Sequence, residues 1–368
     1  MTRHRLGLAF ALALVHASAL TSVAAQTTQT AYPGARLERL ADGVYAIIHD
    51  ATDEQFPNGN TGVIVGDDGV LVVDATYLPS HAKADIALIR SVTDKPVRYL
   101  VITHLHRDHN GGASAYRDAF PGVAVVSGAQ TRDFIAINRA ATAKSAAATG
   151  SPLRTALAAL EMRLAAGTDS TGQALTPSAK ADLEHRIAQR RAELDELSTL
   201  RVVTPDIAVK TELDLFLGNR RVHVKNRGRT HSPDDVTVYL PVEGVLFSGD
   251  VVVQAPLPFT GGTWPVEWST VLHDIESERI TALTPGHGPV MRDMSYVRAL
   301  HALIDGVTSQ VATYLARGMT LDQIQQAIDV TRLRAGAPAW SGSGLDNDWK
   351  TTVRALVDRA WHELRGLD

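Results

Sequence analysis

The chain has 368 residues, a formal net charge of −4 and no cysteine. The mildly acidic balance argues against nucleic acid as a partner, because binding to phosphates requires a clustered basic surface. Without cysteine there are no disulfides and no thiolate ligands, so any metal ion must be held by nitrogen and oxygen atoms. At this length a large hydrophobic core is possible without such cross-links.

Residues 1–25 have the pattern of a cleavable export signal. A basic start precedes an apolar run over 6–15, and small residues precede a cleavage site after Ala25. The alternative is a membrane anchor, but the apolar run is shorter than the roughly 20 residues that a spanning helix needs. We therefore predict a periplasmic or secreted protein with no membrane span after cleavage. The mature chain would begin with a polar linker over 26–42.

Short strands separated by turns follow the linker. The segments 43–48, 61–66 and 69–74 are apolar and β-branched, and Gly, Asn and Asp residues lie between them. A helix is predicted over 80–91. The apolar segment 97–103 then predicts a buried strand.

The six residues after this strand include four side chains of metal-binding type: His104, His106, Asp108 and His109. Buried histidines clustered without an ion would leave ring nitrogens unsatisfied, whereas neutral imidazole and ionised carboxylate are ordinary ligands of zinc and related ions. Residues i and i+2 of an extended segment point the same way, so His104 and His106 can share one ion. Asp108 and His109 lie beyond a bend and can face a second ion. The sequence Asn-Gly-Gly at 110–112 predicts a tight turn before the next helix.

The segment 131–200 differs in composition, because alanine is abundant and leucine recurs at helical spacing from Leu153 to Leu164. A second helix is predicted from Thr176-Pro177, a favourable cap and first-position pair. Its many charged residues are typical of a solvated helix face. We interpret the segment as a helical hairpin inserted between two β-rich halves, which either covers the site or mediates oligomerisation.

A second series of strands is predicted at 207–209, 213–217, 221–225 and 236–240. The segment 244–250 then resembles 69–74, because each has a turn glycine, an apolar strand and a terminal aspartate. Two similar halves are typical of a sandwich with a site at the strand ends. We place the β-rich domain over 43–290 and a helical C-terminal extension, with a capping box at 320–323, over 291–368.

Three further candidate ligands lie where strands end in the second half: His231, Asp250 and His287. Taken alone, each of these residues could have a role other than metal binding, as an exposed histidine, a helix cap or a turn residue. Together with the first four they provide the nitrogen and oxygen ligands that two divalent ions require. The other histidines, among them His81 and His185, lack such company and are predicted to be structural or exposed.

With these residues the chain resembles the metallo-β-lactamase-fold hydrolase superfamily, whose mark is the run His-x-His-x-Asp-His followed by distant His, Asp and His residues. The resemblance spans roughly residues 43–289, apart from the helical insert, and implies an α+β fold, a four-layered αββα sandwich with a dinuclear site at one edge. It implies the following ligands: His104, His106 and His231 for the first ion, Asp108, His109 and His287 for the second, and Asp250 bridging both. Asp74 matches an early aspartate of the family, which implies a carboxylate that orients a ligand from behind.

The resemblance implies a metal-dependent hydrolase with two divalent ions, zinc being the expected metal. Water activated by the ions, near Asp108, would attack a small-molecule acyl substrate such as a lactone, ester, thioester or cyclic amide. Asp250 stands where the best-known β-lactamases carry cysteine or serine, and it is similar to the glyoxalase II, lactonase and phosphodiesterase branches. His106 stands where flavodiiron oxygen reductases carry glutamate, and Asp234 holds a place often taken by glycine. The alternatives are a β-lactamase proper, a phosphodiesterase, a mononuclear iron oxygenase of the same fold and a non-enzymatic metal-binding protein.

Candidate substrate contacts come from two loops. The loop 256–268 carries Phe259, Trp264 and Trp268 in a chain with only 5% aromatic residues. One interpretation makes Phe259 and Trp264 an apolar wall of the substrate pocket. The other is a loop attached to the core through Trp268. Asn60, before the second strand, is predicted to line the same mouth.

Overall fold

The computed structural model describes residues 35–49, 58–169, 171–254, 260, 262–335 and 346–367. The predicted export signal, most of the predicted linker and Phe259 lie outside the described residues. Within the described ranges, no helix combines the length and the apolar character needed to cross a membrane.

The first sheet has seven strands in chain order: β1 (Ala35–Ala41), β2 (Val44–His49), β3 (Thr61–Val65), β4 (Val70–Val73), β5 (Val97–Val101), β6 (Ala124–Gly128) and β7 (Ile207–Val209). Pairing is antiparallel from β1 to β4 and parallel from β4 to β7. The linker prediction is wrong for residues 35–41, which form the edge strand β1. Ala35 and Leu37 are buried while their neighbours Arg36 and Glu38 are less so, and this short alternation is enough for a strand with one buried face.

The second sheet has five strands: β8 (Glu212–Leu217), β9 (Arg220–Gly228), β10 (Asp235–Leu240), β11 (Val245–Gly249) and β12 (Ala282–Pro285). Its spatial order is β12-β11-β10-β9-β8, with one parallel pair, β11 and β12. The two sheets pack face to face through apolar side chains such as Ile64 and Leu71 from the first and Val238 and Phe247 from the second. This inter-sheet core is the centre of a sandwich.

Helices cover both outer faces of the sandwich. The helices of the described residues are, in chain order, α1 (Pro79–Arg90), α2 (Arg107–Asn110), α3 (Ala113–Ala119), α4 (Ala129–Ala147), α5 (Pro152–Ala166), α6 (Pro177–Ser198), α7 (Pro265–Ser277), α8 (Ser295–Ala316), α9 (Leu321–Ala327), α10 (Val330–Ala335) and α11 (Asp346–Leu364). Leu88 of α1 and Tyr116 of α3 pack on the first sheet. Trp268 of α7, Leu300 of α8 and Leu356 of α11 share a core with the second sheet. The expected αββα sandwich is confirmed, and the predicted C-terminal helical extension packs against its second sheet.

Two helical predictions need correction. Residues 131–200 contain three helices and not a hairpin of two, because α4 starts directly after β6 and its alanine-rich sequence has too few large apolar residues to show a helical period. Residues 265–268, predicted as loop, form the first turn of α7, with Pro265 at its start. By contrast, the Thr176 cap of α6 and the capping box of α9 are confirmed.

The insert has a core of its own. Leucine and isoleucine side chains from α5 and α6 pack together, among them Leu157, Leu183 and Leu194. Two residues of the loop after β4, Tyr77 and Leu78, belong to the same cluster. The insert is therefore joined to the sandwich at that loop.

Candidate metal centre

The ends of parallel strands place the candidate ligands at one edge of the sandwich. β4 and β5 run parallel in the first sheet, and β11 and β12 run parallel in the second. Asp74 follows β4, His104 lies shortly after β5, Asp250 follows β11 and His287 follows β12. The carboxyl ends of parallel strands meet at the same edge, so four distant segments of sequence converge there.

The run 104–109 changes conformation midway. His106 is extended, at φ −70° and ψ 145°, and α2 begins at the next residue, so Asp108 and His109 lie on a helical turn. The predicted tight turn before the next helix is confirmed: Gly111 (φ −63°, ψ −33°) and Gly112 (φ −85°, ψ 0°) have the geometry of a type I turn, which does not require glycine. Their lack of a side chain has another cause, which is close packing. A Cβ on Gly111 would lie 1.9 Å from the Tyr77 carbonyl oxygen.

The seven predicted ligands are brought together in two groups: His104, His106, His231 and Asp250 in one, and Asp108, His109 and His287 in the other. Within each group the candidate ligand atoms lie within 4.8 Å of one another. His106 Nδ1 is 3.1 Å from His104 Nε2 and 3.0 Å from His231 Nε2. In the second group, His287 Nε2 is 3.1 Å from Asp108 Oδ2 and 3.3 Å from His109 Nε2.

Asp250 lies between the two groups. Its Oδ2 is 3.2 Å from His231 Nε2 and 3.7 Å from His104 Nε2. Its Oδ1 is 3.2 Å from His109 Nε2 and 3.7 Å from His287 Nε2. Each carboxylate oxygen thus faces one group, which is the arrangement that a bridging ligand requires.

Asp74 and Thr103 determine which ring nitrogens of two histidines face the centre. Asp74 Oδ2 accepts hydrogen bonds from His109 Nδ1 at 2.7 Å and from Thr103 Oγ1 at 2.8 Å. Because the Thr103 hydroxyl proton is used on that carboxylate, Thr103 Oγ1 accepts from His104 Nδ1 at 3.0 Å. Both histidines therefore carry their proton at Nδ1 and direct the lone pair of Nε2 at the centre. Asp74 does this from a left-handed backbone conformation, φ +65°, which costs about 1–3 kcal/mol in a non-glycine residue.

Burial and charge act differently on the two groups. Burial lowers the pKa of His104 and His106, and it lowers that of His231 to about 4. In the second group burial opposes ionisation of His109, but the carboxylates around it, first among them Asp250, raise its pKa well above the usual value. Burial likewise opposes ionisation of Asp108, yet His109 and His287 hold its pKa at about 2. Neutral imidazoles and ionised carboxylates are the forms that bind metal ions, so a cation bound to the second group would take the place of a proton on His109 Nε2.

This donor set fits divalent cations. Nitrogen and oxygen lone pairs converge on shared space, and Asp250 Oδ1 is buried without a hydrogen-bond donor among the described residues. Converging lone pairs in a buried site are unfavourable unless a cation lies between them. Three imidazoles and one carboxylate, or two imidazoles and two carboxylates, are ligand combinations suited to zinc. The cluster could therefore hold metal ions.

The predicted substrate contacts are only partly placed. The prediction for Asn60 is wrong, because its side chain is buried and bonded to backbone: Nδ2 donates to Pro285 O at 2.9 Å and to Gly288 O at 2.8 Å, and Oδ1 accepts from His49 N at 3.1 Å. Asn60 thus fixes the loop that carries His287 and does not line the mouth.

Trp264 and Trp268 have different environments. Trp264 N donates to Thr230 O at 2.8 Å, next to His231, and its half-buried ring has the guanidinium groups of Arg229 and Arg359 within 5.8 Å and 5.3 Å. A role for Trp264 in substrate binding stays a prediction. Trp268 is fully buried and its Nε1 donates to Val251 O at 2.9 Å, as the core-attachment interpretation expects.

Two supporting contacts escaped sequence reasoning. Arg139, on α4, donates from Nη2 to the carbonyl of Leu105, between His104 and His106. Leu105 is 34 residues away from Arg139 in sequence. A charged residue in an alanine-rich helix gives no sign in the sequence that it contacts so distant a carbonyl group. Gly59 lies against the His109 ring, where a Cβ would be 2.3 Å from Cε1. The only sign of a role for Gly59 in the sequence was its place in a loop, and many glycines lie in loops without contacting a site.

The comparisons with known proteins agree with this geometry. A family model described as the metallo-beta-lactamase superfamily matches residues 55–317. A linear primary-alkylsulfatase from Pseudomonas sp. (strain ATCC 19151) is 23% identical over 287 residues, which is 74% of this chain and 50% of that protein, so the chain spans about half the length of this curated relative. The solved structure of a metallo-beta-lactamase from Pontibacter korlensis superposes with a TM-score of 0.52 at 18% identity, covering 74% of this chain and 99% of that one. Since the family model matches most of the chain, the protein belongs to the metallo-β-lactamase superfamily.

Proposed function

We propose that the protein is a dinuclear metal-dependent hydrolase that acts on an acyl substrate: a lactone, an ester, a thioester or a cyclic amide. The observation that carries the proposal is Asp250, which presents one carboxylate oxygen to each of two ligand groups. A single ion would not require this division. Zinc is the metal that the all-nitrogen and oxygen donor set favours.

Two bound divalent ions would bring the pKa of a bound water molecule to near neutrality and polarise the scissile carbonyl group. Asp108 is half-buried, and its pKa of about 2 keeps it ionised at neutral pH. An ionised carboxylate at that place accepts a hydrogen bond from the attacking water and so orients it. Asp74 and Thr103 fix the rings of His109 and His104, so the centre does not have to reorganise during the reaction.

A second candidate is hydrolysis of an alkyl sulfate ester, the kind of substrate in the name of the Pseudomonas alkylsulfatase. Local charge supports an anionic substrate here. Burial and the charge of Arg107 together lower the pKa of Arg139 to about 10, while the charge of Asp108 opposes the shift, so two guanidinium groups act near Asp108. Such charge would attract a sulfate ester more than a neutral ester.

The test removes metal with a chelator and restores zinc or manganese, with hydrolysis measured on a lactone, a thioester, a β-lactam, an alkyl sulfate and a phosphodiester. We expect activity on a lactone or thioester that is lost with the metal and returns with it. Asp108→Asn should lower kcat by about 100-fold or more, whereas Asp133→Asn, an exposed carboxylate on α4, should have no effect. Turnover of the alkyl sulfate with no turnover of acyl substrates would favour the second candidate. Activity that persists without metal would refute both.

We also propose that the protein is exported to the periplasm or outside the cell. The support for this is the basic, apolar and small-residue pattern of residues 1–25. Mass spectrometry of protein secreted by a bacterial host should find Gln26 as the first residue. A full-length chain retained in the cytoplasm would contradict this part of the proposal.

A further inference from the structure

The first helix of the insert is fixed at its start by the loop that carries His231. Asp234 Oδ2 accepts hydrogen bonds from Gln130 N at 2.6 Å and from Thr131 N at 3.3 Å, and Thr131 Oγ1 donates to Asp234 O at 3.1 Å. A carboxylate at a helix N-terminus satisfies free N–H groups and favours the helix dipole. Asp234 therefore anchors the start of α4.

The same helix contacts the loop 104–109 further along. Arg139 is 6% exposed, and its Nη2 donates to the carbonyl of Leu105. Leu105 lies between His104 and His106, two ligands of the first group. Burial of a guanidinium group is costly unless its hydrogen bonds are used. Through Asp234 and Arg139, α4 thus joins two loops that both supply ligands to the first group.

The last helix of the insert reaches the other half of the loop. Glu193 on α6 accepts a hydrogen bond from Tyr77 Oη at 2.6 Å, and Tyr77 Oη accepts from Arg107 Nη2 at 2.9 Å. The Arg107 guanidinium also lies 4.7 Å from the centre of the Tyr77 ring. Arg107 directly precedes Asp108, a ligand of the second group.

We propose that the helical insert holds the loop 104–109 in its metal-binding conformation, with Arg139 and Tyr77 as positioning residues. Arg139 restrains the peptide between the two histidines of the first group, and Tyr77 transmits the contact from Glu193 to Arg107. Neither residue is among the candidate ligands. The inference rests on the proposed function in one respect, because it requires that the centre binds metal.

A purely electrostatic role and a positioning role for Arg139 predict opposite effects of its substitution on zinc affinity. If Arg139 acted only through its charge, Arg139→Met would remove a repelling cation and tighten the binding of zinc. If it positions the loop, the same variant binds zinc more weakly, because supporting residues typically contribute 10- to 100-fold to metal affinity. Tyr77→Phe removes both hydrogen bonds of the hydroxyl without a change of charge, so it tests the second contact separately.

The experiment measures the dissociation constant of zinc by competition with a chelating dye, and the absorption spectrum of the cobalt-substituted protein. We expect Arg139→Met and Tyr77→Phe to bind zinc about tenfold more weakly and to show an altered cobalt spectrum. Arg139→Lys, which keeps a donor for Leu105, should recover part of the affinity. Arg132→Met is the matched control, because Arg132 lies on the same helix with 44% of its side chain exposed. Unfolding curves of the metal-free proteins show whether each variant is folded.

Zinc binding by Arg139→Met and Tyr77→Phe as tight as that of the wild type would overturn the inference and leave the proposed function intact. A wild-type protein that binds no zinc would overturn the proposed function and the inference together. If Arg139→Met does not fold, Tyr77→Phe and Arg139→Lys still decide the result.

Discussion

Asp235 allows a quantitative test of the polar interior next to the metal centre. It is buried at the start of β10, and its Oδ2 accepts hydrogen bonds from Thr230 Oγ1 at 2.6 Å and from Ser232 N at 2.7 Å. Its Oδ1 has no donor among the described residues. Burial raises the pKa of Asp235 to about 7, against the effect of these hydrogen bonds. Asp235→Asn keeps an oxygen for both donors and removes the titrating proton.

The sign of the effect follows from proton binding. Because the pKa of about 7 in the folded protein lies above the ordinary value of 3.8, the folded state binds more protons than the unfolded state between these values. The stability that this group contributes is therefore complete below about pH 4 and is lost as the pH rises through 7. A difference of about 3 pKa units corresponds to about 4 kcal/mol, at about 1.4 kcal/mol per unit.

The assay is urea unfolding of the wild type and of Asp235→Asn, both in chelator, at several values between about pH 4 and pH 8. Chelator is needed because cations next to Asp250 would change the potential at Asp235. We expect the wild type to lose about 4 kcal/mol of stability relative to the variant over this range. Parallel stability curves for the two proteins would refute the assignment of a raised pKa to Asp235.

Three further substitutions test specific contacts. Gly286→Ala should weaken zinc binding and activity at least tenfold, because its Cβ would lie 1.8 Å from Asp250 Oδ1. Gly262→Ala should match the wild type in both assays, because among the described residues no atom would lie within 4 Å of its Cβ. Asn60→Ala should lower the free energy of unfolding by about 2–3 kcal/mol, because it leaves buried backbone groups unsatisfied, and it should leave KM unchanged. A raised KM at wild-type stability would instead support a substrate contact. Trp268→Phe should lower stability in urea by about 1–3 kcal/mol through loss of the hydrogen bond to Val251 and of buried volume, and wild-type stability would contradict this.

The features that could be predicted from the sequence are those encoded locally. An apolar β-branched segment such as β4 or β5 can be recognised alone, and a ligand directly after such a strand has a defined place in a sandwich. This is why Asp74, His104 and Asp250 could be placed at a common edge before the structure was known. The resemblance to a family then supplied the pairing of ligands with ions.

The features that could not be predicted depend on contacts between distant segments. Asn60 looked like a mouth residue, but its amide is used by backbone groups more than 200 residues away, as in the bond to Gly288. Arg139 and Asp234 connect the insert to the ligand loops through side-chain contacts that no periodicity records. α4 escaped detection because alanine contributes little to a hydrophobic period, although it favours the helix.

The stoichiometry of metal binding tests the central claim most directly. Metal analysis of zinc-loaded, dialysed protein should find two ions per chain in the wild type and one in His231→Ala and in His287→Ala, since each variant removes a ligand of only one group. His185→Ala, an exposed histidine of the insert, should retain two. A wild-type protein with one ion or none, or variants that keep both ions, would contradict a centre built from two separate ligand groups.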